Sequence, residues 1–194
     1  MHRRRFIATT GTVLITGGLS LAGCTTTSPS SAAAANADKR RSIDASADET
    51  LTRLYNTVND SQGLVSRANG VLVFPSVISA GFWFGAQYGQ GVLRIGGQTN
   101  GYYSITAASF GLQIGAQSKA IVMLFMNQTA LDEFVHSQGW AAGVDATVAV
   151  LQVGANGNVD TSTAMSPVEA FVLTNGGLMA GVSLEGTKIS RLII

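Results

Sequence analysis

The sequence predicts an α+β domain in which a coiled, mostly antiparallel β-sheet with a barrel-like curl is covered by a few short helices. Three observations point there. Segments with period-two alternation outnumber those with helical periodicity. The run AIVMLFM (residues 120–126) is apolar without a break, as in a strand buried on both faces. Glycines recur four apart beside large side chains, in GFWFGAQYGQGV (residues 81–92), SFGLQIGAQ and GGLMAGVSLEG. Four is a multiple of two, so on a strand such glycines share one face and leave it bare. Bare stripes suit a strongly coiled sheet, or one against which another backbone lies closely. Gly81, Gly85, Gly89, Gly91, Gly111, Gly115 and Gly181 are therefore read as structural.

From the N-terminus, Arg3-Arg4-Arg5 precedes a modest apolar run that ends at Leu21-Ala22-Gly23-Cys24, the three parts of a signal peptide over residues 1–23. The tetrapeptide resembles the lipobox of bacterial lipoproteins. That resemblance implies cleavage just before a Cys24 that already carries diacylglycerol, so that the mature chain is lipid-anchored there, palmitate included among its acyl chains. Cys24 is the only cysteine, so it has no disulfide partner within the chain. Thr9, Thr10, Gly11, Thr16, Gly17, Gly18 and Ser20 make the run weakly apolar for an uncleaved span. Arg3-Arg4-Arg5-Phe6-Ile7 also resembles a twin-arginine signal, which leaves the export route open.

Residues 24–42 read as the lipidated cysteine and a flexible tether, TTTSPSSAAAANA followed by the charged DKRRS. The domain then runs over 43–194. Ser46 and Glu49 match a capping box, and Leu51, Leu54, Tyr55 and Val58 form one apolar stripe, so a helix is expected from 46 to 60. A second short helical piece with Leu64, Val65 and Ala68 would stop at Asn69-Gly70. VLVF (71–74) is a strand that Pro75 ends or bends. A turn is expected at Asn100-Gly101, and a helix after Thr129, closed by Gly139. Strands follow at 144–153, 171–173, 178–184 and 188–194, with turns around Asn156-Gly157-Asn158 and Glu185-Gly186.

Three ordered blocks, ANGVLVFPSVISAGFWFGAQYGQGVL, SFGLQIGAQSKAIVMLFMN and GLMAGVSLEGTKISRL, resemble the SYLF domain over roughly residues 47–194. The resemblance implies an exported bacterial lipoprotein whose relatives in eukaryotes bind phosphoinositides, and in some yeast members actin. It implies lipid contact through the helix before the domain. Leu51, Leu54 and Tyr55 would enter the interface, and Lys39, Arg40, Arg41 and Arg53 would meet anionic headgroups. Two departures accompany it: Ser79-Ala80 stand where many relatives have a lysine before the glycine of the first block, and QVGANG replaces a Gly-Pro motif.

Charge and motif content limit other functions. After residue 23 there are nine basic and eleven acidic side chains, so no basic field for nucleic acid remains. No phosphate-loop pattern occurs. Asp132, His136 and Ser137 could be assembled into a hydrolase triad, but no nucleophile elbow accompanies them, so no catalytic residue is assigned. No metal or other cofactor is expected, since His136 stands isolated and Asn156, Asn158 and Asp160 lack calcium-loop spacing. The expected protein is a non-catalytic envelope lipoprotein, held to the membrane by Cys24 and contacting anionic phospholipid. A protein-partner module without lipid preference is the alternative, and a small envelope hydrolase a more distant one. Thr25 carries no aspartate retention signal, which points to the outer membrane, facing the periplasm or the surface.

Overall fold

The computed structural model describes residues 29–81, 84–110, 115–152, 158–159, 166–174, 177–179 and 182–194. Helices α1 (Pro29–Thr57) and α2 (Ser61–Arg67) lead into four long strands, β1 (Gly70–Gly81), β2 (Phe84–Ile95), β3 (Gln98–Phe110) and β4 (Gly115–Phe125). Helix α3 (Gln128–His136) follows, then β5 (Trp140–Ala141), β6 (Val148–Val150), β7 (Val168–Thr174), β8 (Gly177–Leu178) and β9 (Lys188–Leu192). The strands form one curled half-barrel sheet in the order β5-β9-β3-β2-β1-β4-β7-β6, with β8 beside β7. Every pairing is antiparallel except β6 with β7. This is the α+β class that the alternating segments predict.

Strand alternation divides the core into two layers. On the outer face, Val71, Val73, Val92, Val122, Leu124, Phe171 and Leu173 pack against Ile43, Ala47, Leu51, Leu54 and Val58 of α1 and Leu64 of α2. On the inner face, Leu72, Leu93, Ile105, Met123 and Val172 meet Leu131 and Phe134 of α3. There the Phe134 ring centroid lies 4.9 Å from Tyr103, 4.8 Å from Phe125 and 5.7 Å from Trp140. Residues 120–125 are buried on both sides, as their unbroken apolar run predicts.

Helix α1 starts seventeen residues before the expected capping box, since it opens at Pro29 and not at Ser46. Residues 29–42 are therefore helix and not flexible tether. Low complexity misled here, because Ala32 to Ala35 and Ala37 are the strongest helix formers and proline suits the first helical position. Ser46 lies inside the helix, and its carbonyl accepts from the Thr50 hydroxyl at 2.8 Å. Helix α3 is capped by Asn127, whose side chain accepts from the Ala130 amide at 2.8 Å, so the cap falls two residues before Thr129. It ends at His136, before Gly139.

Pro75 bends its strand without ending it: the β1 register slips on both sides, between Val73 and Ser76 against β2 and between Phe74 and Val77 against β4. That bulge explains the bare stripe. A Cβ on Gly91 would collide with the Val73 carbonyl and come within 2.6 Å of the Phe74 ring, and one on Gly89 would stand 2.8 Å from the Ser76 carbonyl. Farther out, Gly81 pairs with both Gly85 and Gly115, and the next row is Ala108, Ala86, Ala80 and Ala116. Gly111 and Gly181 lie outside the described residues, as does the Asn156-Gly157 turn.

Three smaller expectations are corrected. The β2–β3 turn is Gly96-Gly97, both at positive φ (57° and 80°), whereas Asn100 and Gly101 sit within β3. Two consecutive left-handed residues suit a tight hairpin better than one Asn-Gly step inside a strand. Among the described residues, the strand expected over 144–153 is present only as Val148–Val150, and that over 178–184 only as Leu178 at the end of β8. Gly186, at φ 75°, does carry the expected turn.

Candidate functional site: helix α1 and the sheet edge it crosses

Helix α1 lies across the outer face of the sheet, and its polar contacts trace the crossing. Just past its C-terminal end, Asn59 Nδ2 donates to Asn158 Oδ1 at 3.2 Å. Asp48 pairs with Arg94 of β2 at 2.5 Å, and Arg94 also donates to the Asp44 carbonyl at 3.2 Å. The Asp44 carboxylate accepts from Thr99 at 3.1 Å and from the Tyr102 hydroxyl at 2.7 Å, both on β3. Arg40 then donates to the Ile194 carbonyl at 2.6 Å, just beyond β9. Burial, together with the bond to Asp44, pushes the Tyr102 phenol up to about 12. Residues 31–36, farther along, are all exposed. The helix therefore projects past the β9 edge.

The predicted lipid-contacting residues separate into three groups. Leu51 and Leu54 are not on the surface: Leu54 is fully buried and Leu51 retains 8% exposure, both against the sheet. The apolar stripe closes the core, which corrects the expectation that it enters a membrane interface. Tyr55 lines a groove of about 360 Å³ with Val65, Ala68, Arg94 and Gly97, where burial raises its phenol and Arg94 lowers it. The one charged group in that groove, Arg94, is already committed to Asp48 and Asp44. Lys39, Arg41 and Arg53 do not form one basic face. At 100° per residue Lys39 and Arg41 project about 160° apart, Arg41 pairs with Asp38, and Arg53 is exposed beside Asn56 and Glu49. Lys119 is half-buried on β4 opposite Val77, and burial lowers its amine.

The Asp132, His136 and Ser137 trio does not converge. His136 Nδ1 lies 2.7 Å from the Asp132 carbonyl, Ser137 donates to the Phe134 carbonyl at 2.9 Å, and the Asp132 carboxylate accepts from Gln128 at 2.8 Å. Among the described residues no group of three His, Cys, Asp or Glu side chains is placed to hold a metal, and no helix is long and apolar enough to cross a membrane. Cys24 lies outside the described residues.

Sequence reasoning missed the residues that fasten α1. Asp44, Asp48, Arg94, Thr99 and Tyr102 are brought together across 46 to 58 positions, and no local pattern marks such pairs. It also missed Glu169 on β7, only 2% exposed, whose Oε2 is enclosed and has no hydrogen-bond partner among the described residues. Burial raises its carboxyl and Arg67 lowers it, with burial the larger cause. An enclosed, unpaired acceptor costs about 1–3 kcal/mol. Glu169→Gln is expected to raise the melting temperature at neutral pH. Because the folded carboxyl titrates above its ordinary 4.5, wild-type stability falls as pH rises from 4.5 through the folded value. The advantage of the variant should therefore be smallest below pH 4.5 and level off above that window; thermal unfolding across pH 4 to 8 measures it.

Residues 106–192 match the family model described as Ysc84: Las17-binding protein actin regulator. Over 131 residues the chain is 30% identical to SH3 domain-containing YSC84-like protein 1 of Xenopus laevis, a span covering 65% of this chain and 39% of that protein. It is 28% identical to the Homo sapiens protein of the same name over 130 residues, 64% of this chain and 37% of that one. An SH3 domain-containing protein of Schizosaccharomyces pombe is 28% identical over 135 residues, 65% of this chain and 31% of its own length. The matches thus span less than two fifths of each relative. Residues 106–192, from β3 to β9, are thus similar to the Ysc84, or SYLF, domain.

Proposed function

We propose that the protein is a lipoprotein of the bacterial envelope, acylated at Cys24, whose SYLF domain works at a phospholipid surface without catalysing a reaction. The observation that carries this reading is the ordered run of Arg3-Arg4-Arg5, a weakly apolar stretch and Leu21-Ala22-Gly23-Cys24. Acyl chains contribute about 0.8 kcal/mol per buried CH₂, so the anchor dominates and any affinity of the domain adds to it. The SYLF family is associated with lipid and actin binding, and of these an exported domain has access to lipid. Thr25 after the cysteine supports the outer membrane, facing the periplasm or the surface.

A second reading, a module for an envelope protein partner, draws support from the burial of Leu51 and Leu54, which removes the apolar stripe from any interface. The primary test is mass spectrometry of protein extracted from membranes. The expected result is a chain that begins at Cys24 and carries acyl mass; an intact 1–23 segment or an unmodified Cys24 overturns the anchor. Vesicle binding then separates the two readings, with a chain that begins no later than Thr25, because a start at Asp38 cuts α1.

A further inference from the structure

Strand β4 outruns one of its neighbours. It begins at Gly115, but β7 pairs only with Ala120 to Phe125, so Gly115 to Lys119 are held on one side alone, by Gly81 to Val77 of β1. Among the described residues no strand stands along the other side. A row of backbone donors and acceptors left in this way is a template for another strand, and natural edges are blunted by exposed charge, by proline or by brevity. Here Arg94 is the only charged residue between Arg67 and Lys119, no proline follows Pro75 in that stretch, and Lys119 itself is half-buried. The matching stretch on the opposite flank, residues 107–110 of β3 beyond β9, differs, because the exposed Lys188 stands beside it, opposite Thr106.

What fits this edge follows from its own residues. Alternation puts Gln117 and Lys119 on the inner face with Ile121 and Met123, and Ser118 on the outer one, where its hydroxyl lies 3.1 Å from that of Ser76. A second β4 laid antiparallel along the first must stop at Ala120, where β7 takes over, so the register that uses the whole edge has Gln117 opposite Gln117. That register sets Lys119 of each copy opposite Gly115 of the other, a residue with no side chain, and keeps the two lysines at opposite ends of the contact. At its centre the two carboxamides each carry donors and an acceptor and can bond one another. A two-fold axis through position 117 thus satisfies both copies with the same residues and closes the assembly at two.

We propose that Gly115 to Lys119 of β4 is the site at which two copies of this protein join edge to edge, their sheets continuing across a two-fold axis at Gln117. The pairing is separate from the anchored-lipoprotein reading, since it neither needs nor excludes an acyl chain at Cys24. It also leaves the helices in place, because α1, α2 and α3 cover the faces of the sheet and not this edge.

The experiment takes the full chain carrying Cys24→Ser, so that no acyl chain is attached and an introduced thiol is the only one. Light scattering after gel filtration is expected to give twice the chain mass. Gln117→Lys, which sets two like charges face to face, should weaken the dimer about fivefold, and Gln117→Glu should do the same. Mixed together, the two variants should recover the dimer, since opposite charges then meet across the axis, a rescue that an unfolded variant could not show. Gln117 is exposed, so the fold is not at stake. In a separate arm, Gln117→Cys should be joined to its counterpart by a short bismaleimide, whereas Ala108→Cys, at an exposed position on β3, should not. The mass of a single chain for the unsubstituted edge, equal cross-linking at 117 and 108, or a dimer indifferent to Gln117→Lys overturns the proposal.

Discussion

Replacing Gly91 with alanine is expected to destabilise the domain by about 3 kcal/mol, the upper part of the range for overpacked sites. The added carbon meets the Val73 carbonyl and, at 2.6 Å, the Phe74 ring. Neither can step aside cheaply. The carbonyl belongs to β1 at the bulge around Pro75, and β1 is paired on both sides. Phe74 is fully buried in the inner layer. A matched control is available in Gly63 of α2, whose Cβ would have nothing within 4 Å. Gly63→Ala in that helix should stabilise by about 0.5–1 kcal/mol. Denaturant unfolding of both variants distinguishes a site-specific clash from a general intolerance of alanine, and an unchanged midpoint for Gly91→Ala refutes the packing account.

Leu54→Ala is expected to cost about 2–5 kcal/mol, the range for truncating a fully buried leucine. Its side chain is enclosed between α1 and the outer face, within the layer that holds Val122, Leu124 and Phe171. The same substitution should leave partition onto anionic vesicles unchanged at temperatures where the variant is folded. A residue that dipped into the bilayer would give the reverse, a small loss of stability and a clear loss of binding. Measuring both quantities on one variant therefore decides whether the α1 stripe faces protein or lipid. Loss of binding with stability preserved contradicts the structure.

The sheet was legible because its signals are local. An unbroken apolar run marks β4, and the glycine positions repeat with period two through β2. The same locality explains the failures. Alanines before residue 38 look like a linker by composition although their intrinsic preference is helical. Ser46 and Glu49 have the capping spacing, yet the helix had already begun upstream. The apolar stripe of Leu51, Leu54 and Val58 was found correctly, but an amphipathic pattern does not say whether its partner is a bilayer or a sheet. The tie between α1 and the segment after β9 was invisible for a different reason: Arg40 and Ile194 are 154 residues apart and meet only in the folded chain.

Strand order also has a bearing on when the domain can complete itself. Strands β1 to β4 make three pairings within residues 70–125, two across hairpins and one joining β1 to β4, so these pairings close shorter loops than those to β9. The outer edge of β3 waits for β9; Ser104 and Ser190, which bond across that pairing, are 86 residues apart. Loop-closure entropy grows with such separations, and non-local strands are late arrivals in folding. The landing of Arg40 on Ile194 spans 154 residues. A chain synthesised N-terminus first thus makes α1 long before its tie to residue 194 can exist, and the helix is fastened at that edge only when that residue has followed.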